Sequence, residues 1–405
     1  MIQTAGDVKA KHIALFFTPS RVGGGVGRSM LDLATALTAC GCRVDFIVSR
    51  AEGPYLRQVP PEVNVIVLSP LWGGLRIIRS LLTEYRSVQA LALAIILTRT
   101  FRYLPALVRY LQQQTPDALV SAKTYPNLAA LWARRLAHVS TRIVITERTN
   151  LSHEVQLRTR EWRWQWHALP RVIRHLYPWA DAIVSVSDGV ADDLCATTGL
   201  SRDRVRTIYN PVVTHNLITQ AQLPPPHPWF QDGNPPVILA AGRLEAQKDF
   251  STLLAAFARV RAVRAARLVI LGEGKERARL AALARNLGVA ADVAFPGFVD
   301  NPFPYMAQAA VFVLSSTHEG LPGVLIQAMA CGCPVVSTDC PSGPREVLAE
   351  GRIAPLVPVG DVSALAGAIL ATLQAPPSRE TLRAHATQFS AERAVSQYLE
   401  VCSGR

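Results

Sequence analysis

The sequence predicts an α/β protein built from two doubly wound domains. Short apolar runs typical of buried parallel strands alternate with segments of helical periodicity, and this alternation predicts βαβ units. It stops at a proline-rich stretch near the middle of the chain and then starts again. The 405 residues are 49% hydrophobic and 18% charged, which suffices for two large cores and excludes wholesale disorder.

The first half opens with a strand, a glycine loop and a helix. His12–Thr18 is the apolar strand, and Arg21–Arg28 is the glycine loop. Apolar residues then recur at helical spacing from Met30 to Leu37, and Gly41 ends the helix. Further strands are predicted at Val44–Ser49, Val63–Leu68, Ala118–Ser121, Arg142–Thr146 and Ala182–Ser187, with helices between them.

The second half follows Ala221–Pro236, whose six prolines and lack of helical period predict an interdomain linker. Strands are predicted at Val237–Ala241, Arg267–Leu271, Val293–Phe295, Val311–Ser315 and Pro334–Thr338. Helices are predicted at Phe250–Val263, Lys275–Leu287, Tyr305–Ala310, Val324–Cys331, Val362–Leu373, Arg379–Phe389 and Ala391–Cys402. We therefore expect domains over residues 1–215 and 216–390, with a cleft between them that both sets of strand ends can face.

The excess of positive charge lies in the first half of the chain. Residues 1–210 hold 26 Lys and Arg against 15 Asp and Glu, whereas residues 211–405 hold 16 against 15. This excess of basic residues predicts binding to an anionic membrane surface or to a polyanionic partner. The alternative is a basic face that is only solvated. We expect no nucleic-acid partner, because no helix-turn-helix, zinc or RNA-recognition pattern is present.

The compartment is predicted to be cytoplasmic. We identify no signal peptide and no apolar run long enough to span a bilayer. The seven cysteines are an odd number and form no C-x-x-C pair, which favours reduced, buried thiols.

Neither glycine-rich loop has the spacing of a dinucleotide-binding motif. Arg28 stands where the last glycine of G-x-G-x-x-G is needed, and the segment Gly272–Arg277 fails in the same way. A glycine loop that opens a helix after a strand still exposes backbone N–H groups to a phosphate. A tight turn without a ligand is the alternative.

Two later loops carry charged residues at the ends of predicted strands. Arg243 and Lys248 follow the first strand of the second domain, where a guanidinium and an ammonium could together hold a diphosphate. Glu319 lies where a strand leads into a helix, so its carboxylate could bind sugar hydroxyls while the helix N–H groups bind a phosphate. The alternatives are solvated loop cations and a glutamate that caps the helix.

The run from Glu319 to Val336 resembles the characteristic motif of the family 4 retaining glycosyltransferases, which have the GT-B fold. The loop Gly242–Asp249, the glycine loop, Val184–Leu194 and Ile208–Pro211 match the same family in the expected order. The segment Cys331–Glu346 resembles bacterial members that build lipid-linked or lipopolysaccharide glycans. The resemblance covers almost the whole chain and is most specific over residues 237–348.

The resemblance implies a role for individual residues. Gly24 and Gly25 would approach the donor diphosphate, Arg243 and Lys248 would clamp it, and Glu319 would bind donor-sugar hydroxyls. The remaining donor-binding residues would be the loop Gly320, Leu321, Pro322 and Gly323 and the base-flanking segment Gly297, Phe298 and Val299. Gln327 replaces the second glutamate that usually binds the ribose, and an amide can keep that contact.

The resemblance also implies the reaction and its partners. The donor would be a nucleotide-diphosphate sugar, with a UDP-hexose or UDP-N-acetylhexosamine expected, and the acceptor a glycan or lipid-linked saccharide. The helix within residues 391–405 would pack back on the first, acceptor-binding domain. The enzyme would act at the inner face of the cytoplasmic membrane. A catalytically weak nucleotide-sugar or glycan-binding protein of the same fold is the alternative.

The mechanism follows from the charge on the leaving group. Fixed cations and helix N–H groups would stabilise the departing diphosphate, so no metal or cofactor is expected, and the absence of a D-x-D motif agrees with this. Retention needs no side-chain base. Glu147, which follows a strand where relatives often carry histidine, is the candidate catalytic residue of the first domain, with a structural ion pair to Arg148 or another arginine as the alternative.

Two basic, aromatic stretches are candidates for acceptor or membrane contact. Leu71–Leu111 holds six arginines, one glutamate and Trp72. This composition is typical of an interfacial amphipathic segment, and the alternative is two helices that pack in the core. The second stretch, Arg158–Arg174, alternates arginine with tryptophan. Its tryptophans either pack in the core or on the surface, or they contact lipid headgroups or a pyrophosphate-linked acceptor.

Overall fold

The structure is a computed structural model that describes residues 11–19, 24–69, 102–160 and 164–404. The chain divides into two compact units. The first unit comprises Met1–Tyr209 with Ala394–Arg405, and the second comprises Asn210–Arg393.

The first unit is organised around a seven-stranded sheet in which every pair of neighbouring strands is parallel. Its strands are β1 (His12–Phe17), β2 (Arg43–Val48), β3 (Asn64–Val67), β4 (Ala118–Ala122), β5 (Arg142–Glu147), β6 (Ala182–Ser185) and β7 (Val205–Thr207). The order across the sheet is β3-β2-β1-β4-β5-β6-β7. The chain winds outward in both directions from the β1–β4 boundary, which is the arrangement of a Rossmann-like domain.

The helices of the first unit cover the apolar faces of this sheet. They are α1 (Gly25–Ala39), α2 (Leu104–Gln114), α3 (Thr124–Ala137), α4 (Leu151–Arg160), α5 (Leu169–Leu176) and α6 (Asp188–Thr198). The apolar residues of α1 that predicted the helix, from Met30 to Leu37, are buried. Gly41 follows the helix with a φ of 81°, a left-handed conformation that glycine adopts without strain.

The second unit repeats the same winding around a six-stranded parallel sheet. Its strands are β8 (Val237–Ala241), β9 (Arg267–Leu271), β10 (Val293–Gly297), β11 (Val311–Leu314), β12 (Val335–Thr338) and β13 (Leu356–Val357), in the order β10-β9-β8-β11-β12-β13. Its helices are α7 (His215–Gln220), α8 (Phe250–Val263), α9 (Arg277–Asn286), α10 (Phe303–Gln308), α11 (Gly323–Ala330), α12 (Pro344–Val347), α13 (Val362–Gln374) and α14 (Arg379–Ala386). The last helix, α15 (Ala391–Ser403), belongs to the first unit from Ala394 onward.

The proline-rich stretch predicted as a linker packs against the second unit. The Phe230 ring meets Tyr305 edge to face at 5.3 Å, and the guanidinium of Arg267 lies 4.5 Å from the centre of the Trp229 ring. Prolines remove the helical period, but they do not prevent the aromatic residues between them from packing. The stretch is therefore part of the second unit and not a free linker.

The glycines of Gly272–Arg277 permit a close approach between two backbone segments. A Cβ on Gly272 would lie 2.0 Å from the Gly242 carbonyl oxygen, and a Cβ on Gly274 would lie 2.4 Å from that of Leu244. The Leu244 N–H also donates to the Glu273 carbonyl at 2.9 Å. These two glycines therefore have a packing reason that involves no dinucleotide.

The two basic, aromatic stretches are described only in part. Residues 70–101 of the first and residues 161–163 of the second lie outside the described residues, as do the side chains of residues 158–160, 164 and 165. The described end of the first stretch is α2, whose Leu104, Leu107 and Leu111 are buried in the core. In the second stretch, Trp166 is 2% exposed, so its role is packing.

No helix within the described ranges has both the length and the apolar character needed to cross a membrane.

Candidate functional site

The loops that follow β8 and β11 meet at the carboxyl edge of the second sheet. These strands are neighbours from which the chain winds in opposite directions, and ligands of open α/β sheets bind at such a point. Two hydrogen bonds join the loops: Thr317 N–H donates to the Gln247 carbonyl at 2.8 Å, and the Gln247 amide donates to the His318 carbonyl at 2.9 Å. The topology thus brings together the two segments predicted to bind a donor.

An ion pair lies where these loops meet. Lys248 Nζ is 2.5 Å from Glu319 Oε1, and the two side chains are 14% and 10% exposed. Ser316 Oγ donates to the same oxygen at 2.7 Å. Among the described residues, none donates a hydrogen bond to Glu319 Oε2. The carboxylate is therefore held by one oxygen and has the other available to a ligand.

Arg243 and Gly242 complete the loop after β8. Arg243 Nη1 pairs with a Glu245 oxygen at 2.9 Å, and its side chain is 35% exposed, so a ligand could reach the guanidinium. A Cβ on Gly242 would lie 3.1 Å from Lys248 Cε, so the lysine side chain crosses over this glycine. Both cations have carboxylate partners, and each retains further N–H donors for an anion.

The helix α11 begins beside the ion pair with its first N–H groups uncapped. Pro322 precedes it, no side chain caps it, and its first turn carries no acidic residue. The loop Gly320–Pro322 packs against Gly343, where a Cβ would lie 2.5 Å from Pro322 Cδ and 2.9 Å from the Gly320 carbonyl oxygen. A helix start with no side-chain cap and no acidic residue in its first turn favours an anionic ligand.

Gln327 lies one turn into α11. It is 8% exposed, and its side-chain amide makes no hydrogen bond with the described part of the chain. The amide carries one acceptor and two donors, which a ligand hydroxyl could use.

The predicted base-flanking segment lies at the end of β10. Gly297 has a φ of 92°, and its carbonyl accepts from Gly272 N–H at 2.7 Å. Phe298 is 41% exposed and Val299 is half-buried. An exposed aromatic ring at the carboxyl edge can stack against a planar ligand.

In the first unit, the glycine loop is described only from Gly24 onward, since residues 21–23 lie outside the described residues, and Gly24 leads into a helix without a side-chain cap. Gly24 precedes α1 with a φ of 143°, and no side chain caps the helix. A Cβ on Gly25 would meet no atom within 4 Å. Backbone N–H groups are therefore accessible here, as a phosphate contact requires.

Glu147 lies in the interior of the first unit. Its side chain accepts from the Tyr177 hydroxyl, from Asn127 Nδ2 at 3.1 Å and from Thr124 Oγ1 at 3.2 Å. The residue is 2% exposed, and burial raises the pKa of the carboxyl from about 4.5 to about 7. The catalytic role of Glu147 stays a prediction.

The alternative interpretation of Glu147, an ion pair with Arg148, is wrong. Arg148 points to the other side, where it donates to Thr146 Oγ1 at 3.0 Å and to Ser29 Oγ at 2.9 Å. Successive residues at a strand end point to opposite faces, which separates the two side chains. No arginine or lysine of the described ranges pairs with Glu147.

Two residues of the site, Ser315 and Ser316, were not predicted from the sequence. Ser315 Oγ donates to the Lys248 carbonyl at 2.7 Å, and Ser316 Oγ donates to Glu319 Oε1 at 2.7 Å. Both serines follow β11 directly, and this place at the end of a strand is the sequence feature that could have indicated them.

The described ranges contain no group of three His, Cys, Asp or Glu side chains placed to hold a metal ion.

Two family models match the chain, one in each unit. The model described as "Glycosyltransferase Family 4" matches residues 23–216. The model described as "Glycosyl transferases group 1" matches residues 235–375.

Curated relatives carry glycosyltransferase names. The chain is 33% identical to N-acetylgalactosamine-N,N'-diacetylbacillosaminyl-diphospho-undecaprenol 4-alpha-N-acetylgalactosaminyltransferase of Campylobacter jejuni, over 59% of this chain and 62% of that protein. It is 34% identical to the lipopolysaccharide core biosynthesis glycosyltransferase LpsE of Rhizobium meliloti, over 56% and 65%. The chain thus spans less than two thirds of the length of these relatives.

A solved structure has the same fold. Anabaena Alr3699/HepE, crystallised in complex with UDP-glucose, superposes with a TM-score of 0.75 over 97% of this chain and 100% of that chain, at 18% identity. The prediction of a GT-B fold with two Rossmann-like domains is confirmed. The chain belongs to the glycosyltransferases, with a family 4 domain over residues 23–216 followed by a group 1 domain over residues 235–375.

Proposed function

We propose that the chain transfers a hexosyl or N-acetylhexosaminyl group from a UDP-sugar to a glycan or lipid-linked saccharide, with retention at the anomeric carbon. The observation that carries the proposal is the Lys248–Glu319 pair beside the uncapped start of α11. The two curated relatives named above act in diphospho-undecaprenol glycan and lipopolysaccharide synthesis by their names, and the Anabaena structure holds UDP-glucose.

The proposed chemistry depends on charge. When the bond from the anomeric carbon to the diphosphate breaks, negative charge grows on the leaving phosphate. Lys248 and Arg243 would neutralise that charge, and the N–H groups at the start of α11 would add a fixed positive dipole. We infer that no metal ion is needed, because these groups supply the positive charge that a bound cation would supply.

The same residues divide the recognition of the donor. Glu319 Oε2 would accept from sugar hydroxyls, and the amide of Gln327 would bind the ribose. Phe298 would contact the base. Gly24 and Gly25 would let the diphosphate approach the backbone at the start of α1, and the acceptor would bind the first unit.

We also propose that the first unit associates with an anionic membrane surface at the cytoplasmic side. The first 210 residues hold the basic excess, and the exposed face of α5 carries Arg171, Arg174 and His175 while its apolar face is buried. Such a face would attract anionic headgroups electrostatically.

A second function, nucleotide-sugar or glycan binding with weak catalysis, is favoured by one observation. Gln327 stands in place of the ribose-binding glutamate to which the family resemblance points. An amide keeps one acceptor and adds two donors, so binding can persist with a different affinity.

The full chain, incubated with UDP-glucose, UDP-galactose and their N-acetyl counterparts, tests the proposal. We expect release of UDP on addition of a lipid-linked or lipopolysaccharide acceptor, with the rate unchanged by EDTA. Thermal stabilisation by a UDP-sugar without any turnover would favour the binding protein. A requirement for a divalent cation would contradict the metal-independent mechanism.

A further inference from the structure

Two adjacent serines after β11 hold the two partners of the site's ion pair. Ser315 Oγ donates to the backbone carbonyl of Lys248 at 2.7 Å, and Ser316 Oγ donates to Glu319 Oε1 at 2.7 Å. The serines are 1% and 0% exposed, so neither hydroxyl has water as a substitute partner. Because successive residues of an extended chain point to opposite sides, one serine reaches the backbone of Lys248 and the other reaches the carboxylate of Glu319.

The position of Ser316 is itself fixed from the neighbouring strand. Thr338, the last residue of β12, donates from its hydroxyl to the Ser316 carbonyl at 2.6 Å. Thr338 is fully buried. The hydroxyl that holds Glu319 therefore depends on the sheet and not on a mobile loop.

The arrangement restricts how the carboxylate can turn. Lys248 Nζ and Ser316 Oγ both donate to Oε1, whereas none of the described residues donates to Oε2. Tilting the carboxylate plane away from these donors would break two charge-assisted hydrogen bonds at once. The plane of the Glu319 carboxylate is thus held, with one oxygen left for a ligand.

We propose that Ser315 and Ser316 are positioning residues for donor binding and that they act on different parts of the donor. Ser316 orients the carboxylate for the sugar, and Ser315 sets the Lys248 loop for the diphosphate. The inference rests on the proposed function, in which Glu319 binds the sugar and Lys248 the diphosphate. It adds that neighbouring serines separate sugar recognition from nucleotide recognition.

The alternative is that both serines serve only to pack and stabilise the strand end. The two roles predict different ratios of UDP-sugar affinity to UDP affinity. A packing role lowers the melting temperature and leaves the ratio of UDP-sugar affinity to UDP affinity unchanged. A positioning role for Ser316 changes that ratio, because UDP lacks the sugar that Glu319 would bind.

The experiment measures Kd by calorimetry for UDP and for whichever of the four UDP-sugars named above binds the wild type most tightly. Ser316→Ala is expected to weaken the UDP-sugar about tenfold and UDP less than about twofold. Ser315→Ala is expected to weaken both by a similar factor. Ser316→Thr, which keeps the hydroxyl, is expected to restore most of the sugar-dependent affinity.

Ser337→Ala is the matched control. Ser337 is a fully buried serine on β12 whose hydroxyl donates to the Thr338 carbonyl at 2.9 Å and contacts neither Lys248 nor Glu319. Both affinities are expected to remain at the wild-type level in this variant. Ser316→Cys, with a weak donor of similar size, replaces Ser316→Ala if the alanine variant does not fold, and the same change in ratio is expected.

An unchanged ratio in folded Ser316→Ala or Ser316→Cys would overturn the positioning role while leaving the proposed function intact. Equal ratio changes in Ser315→Ala and Ser316→Ala would overturn the division between the two serines. Absence of binding of every UDP compound to the wild type would overturn the proposed function and, with it, this inference.

Discussion

The first six strands of each unit lie in the same order across their sheets, but the glutamates at the two carboxyl edges have different surroundings. In the second unit, Lys248 and Glu319 pair across two loops, and Glu319 keeps one oxygen without a donor. In the first unit, Glu147 is enclosed by Tyr177, Asn127 and Thr124. The two edges are therefore comparable in topology and differ in hydrogen bonding. Glu319 keeps an oxygen without a donor, which marks a candidate ligand site, whereas the enclosed Glu147 belongs to a structural network.

Removing the carboxylate of the second edge is expected to have the largest effect. Glu319→Ala should lower turnover by about 1000-fold or more, because the sugar contact and the partner of Lys248 are lost together. Circular dichroism should show an intact fold, since the side chain lies at the edge of the core. Turnover near the wild-type rate in this variant would contradict the assignment of the sugar site.

Alanine variants of two glycines, one at each edge, compare how much space surrounds the backbone there. Gly272→Ala should destabilise the protein by about 2 kcal/mol or more, because its Cβ would lie 2.0 Å from the Gly242 carbonyl oxygen. Gly25→Ala should change stability by less than about 1 kcal/mol, because its Cβ meets no atom within 4 Å. If a diphosphate approaches this backbone, Gly25→Ala should still weaken donor binding about tenfold.

Denaturant unfolding measures the difference in stability between the two variants. Titration of the folded Gly25→Ala protein with donor measures the change in donor affinity. Undiminished donor affinity in Gly25→Ala would remove the glycine loop from the proposed site and leave the second edge unaffected.

The buried carboxyl of the first edge predicts a dependence of stability on pH. The pKa of Glu147 is about 7 in the folded protein and near 4.5 ordinarily, so the folded state favours the protonated form. Its contribution to stability is complete below pH 4.5 and is lost as the pH rises through 7. Glu147→Gln, which cannot ionise, should therefore be more stable than the wild type above pH 7, by roughly 1–3 kcal/mol.

Urea titrations of wild type and Glu147→Gln at several pH values between 4.5 and 8 check this expectation. The difference in unfolding free energy should grow with pH and level off above about 7. Turnover of Glu147→Gln should stay within a few-fold of the wild type. A loss of turnover with unchanged stability would instead establish the catalytic role predicted from the sequence.

The smallest effect is expected at Gln327. Gln327→Glu should lower the donor KM by a few-fold or leave it unchanged, because a carboxylate is the stronger acceptor for ribose hydroxyls. Steady-state kinetics with the preferred donor measure the change, and Gln327→Ala is the comparison that removes the polar group. A large rise in KM for Gln327→Glu would indicate that the glutamine is adapted to another ligand.

Most of the fold could be predicted because its determinants are local. The strands β1, β8 and β11 are continuous apolar runs, and α1 and α8 show clear helical spacing. The short strands β7 and β13, with three and two residues, were missed because so few residues carry no periodicity. Their pairing with β6 and β12 depends on neighbours distant in sequence.

The candidate site could be predicted in part. Arg243, Lys248 and Glu319 each follow a strand, and parallel strands bring their carboxyl ends to one edge. The sequence did not reveal that Ser316 holds Glu319 or that Gly272 is a packing glycine. Both facts arise from contacts between loops that the sheet order places side by side.

The sequence by itself determined the two α/β units, the glycine-opened helix and the positions of the charged loops, because periodicity and turn residues act over short distances. Only the tertiary structure decided which charges meet: Lys248 pairs with Glu319 across 71 residues, and Glu147 turns inward while Arg148 turns away. Burial and pairing depend on strand order and on the face to which a strand end points, and neither is fixed by neighbouring residues alone.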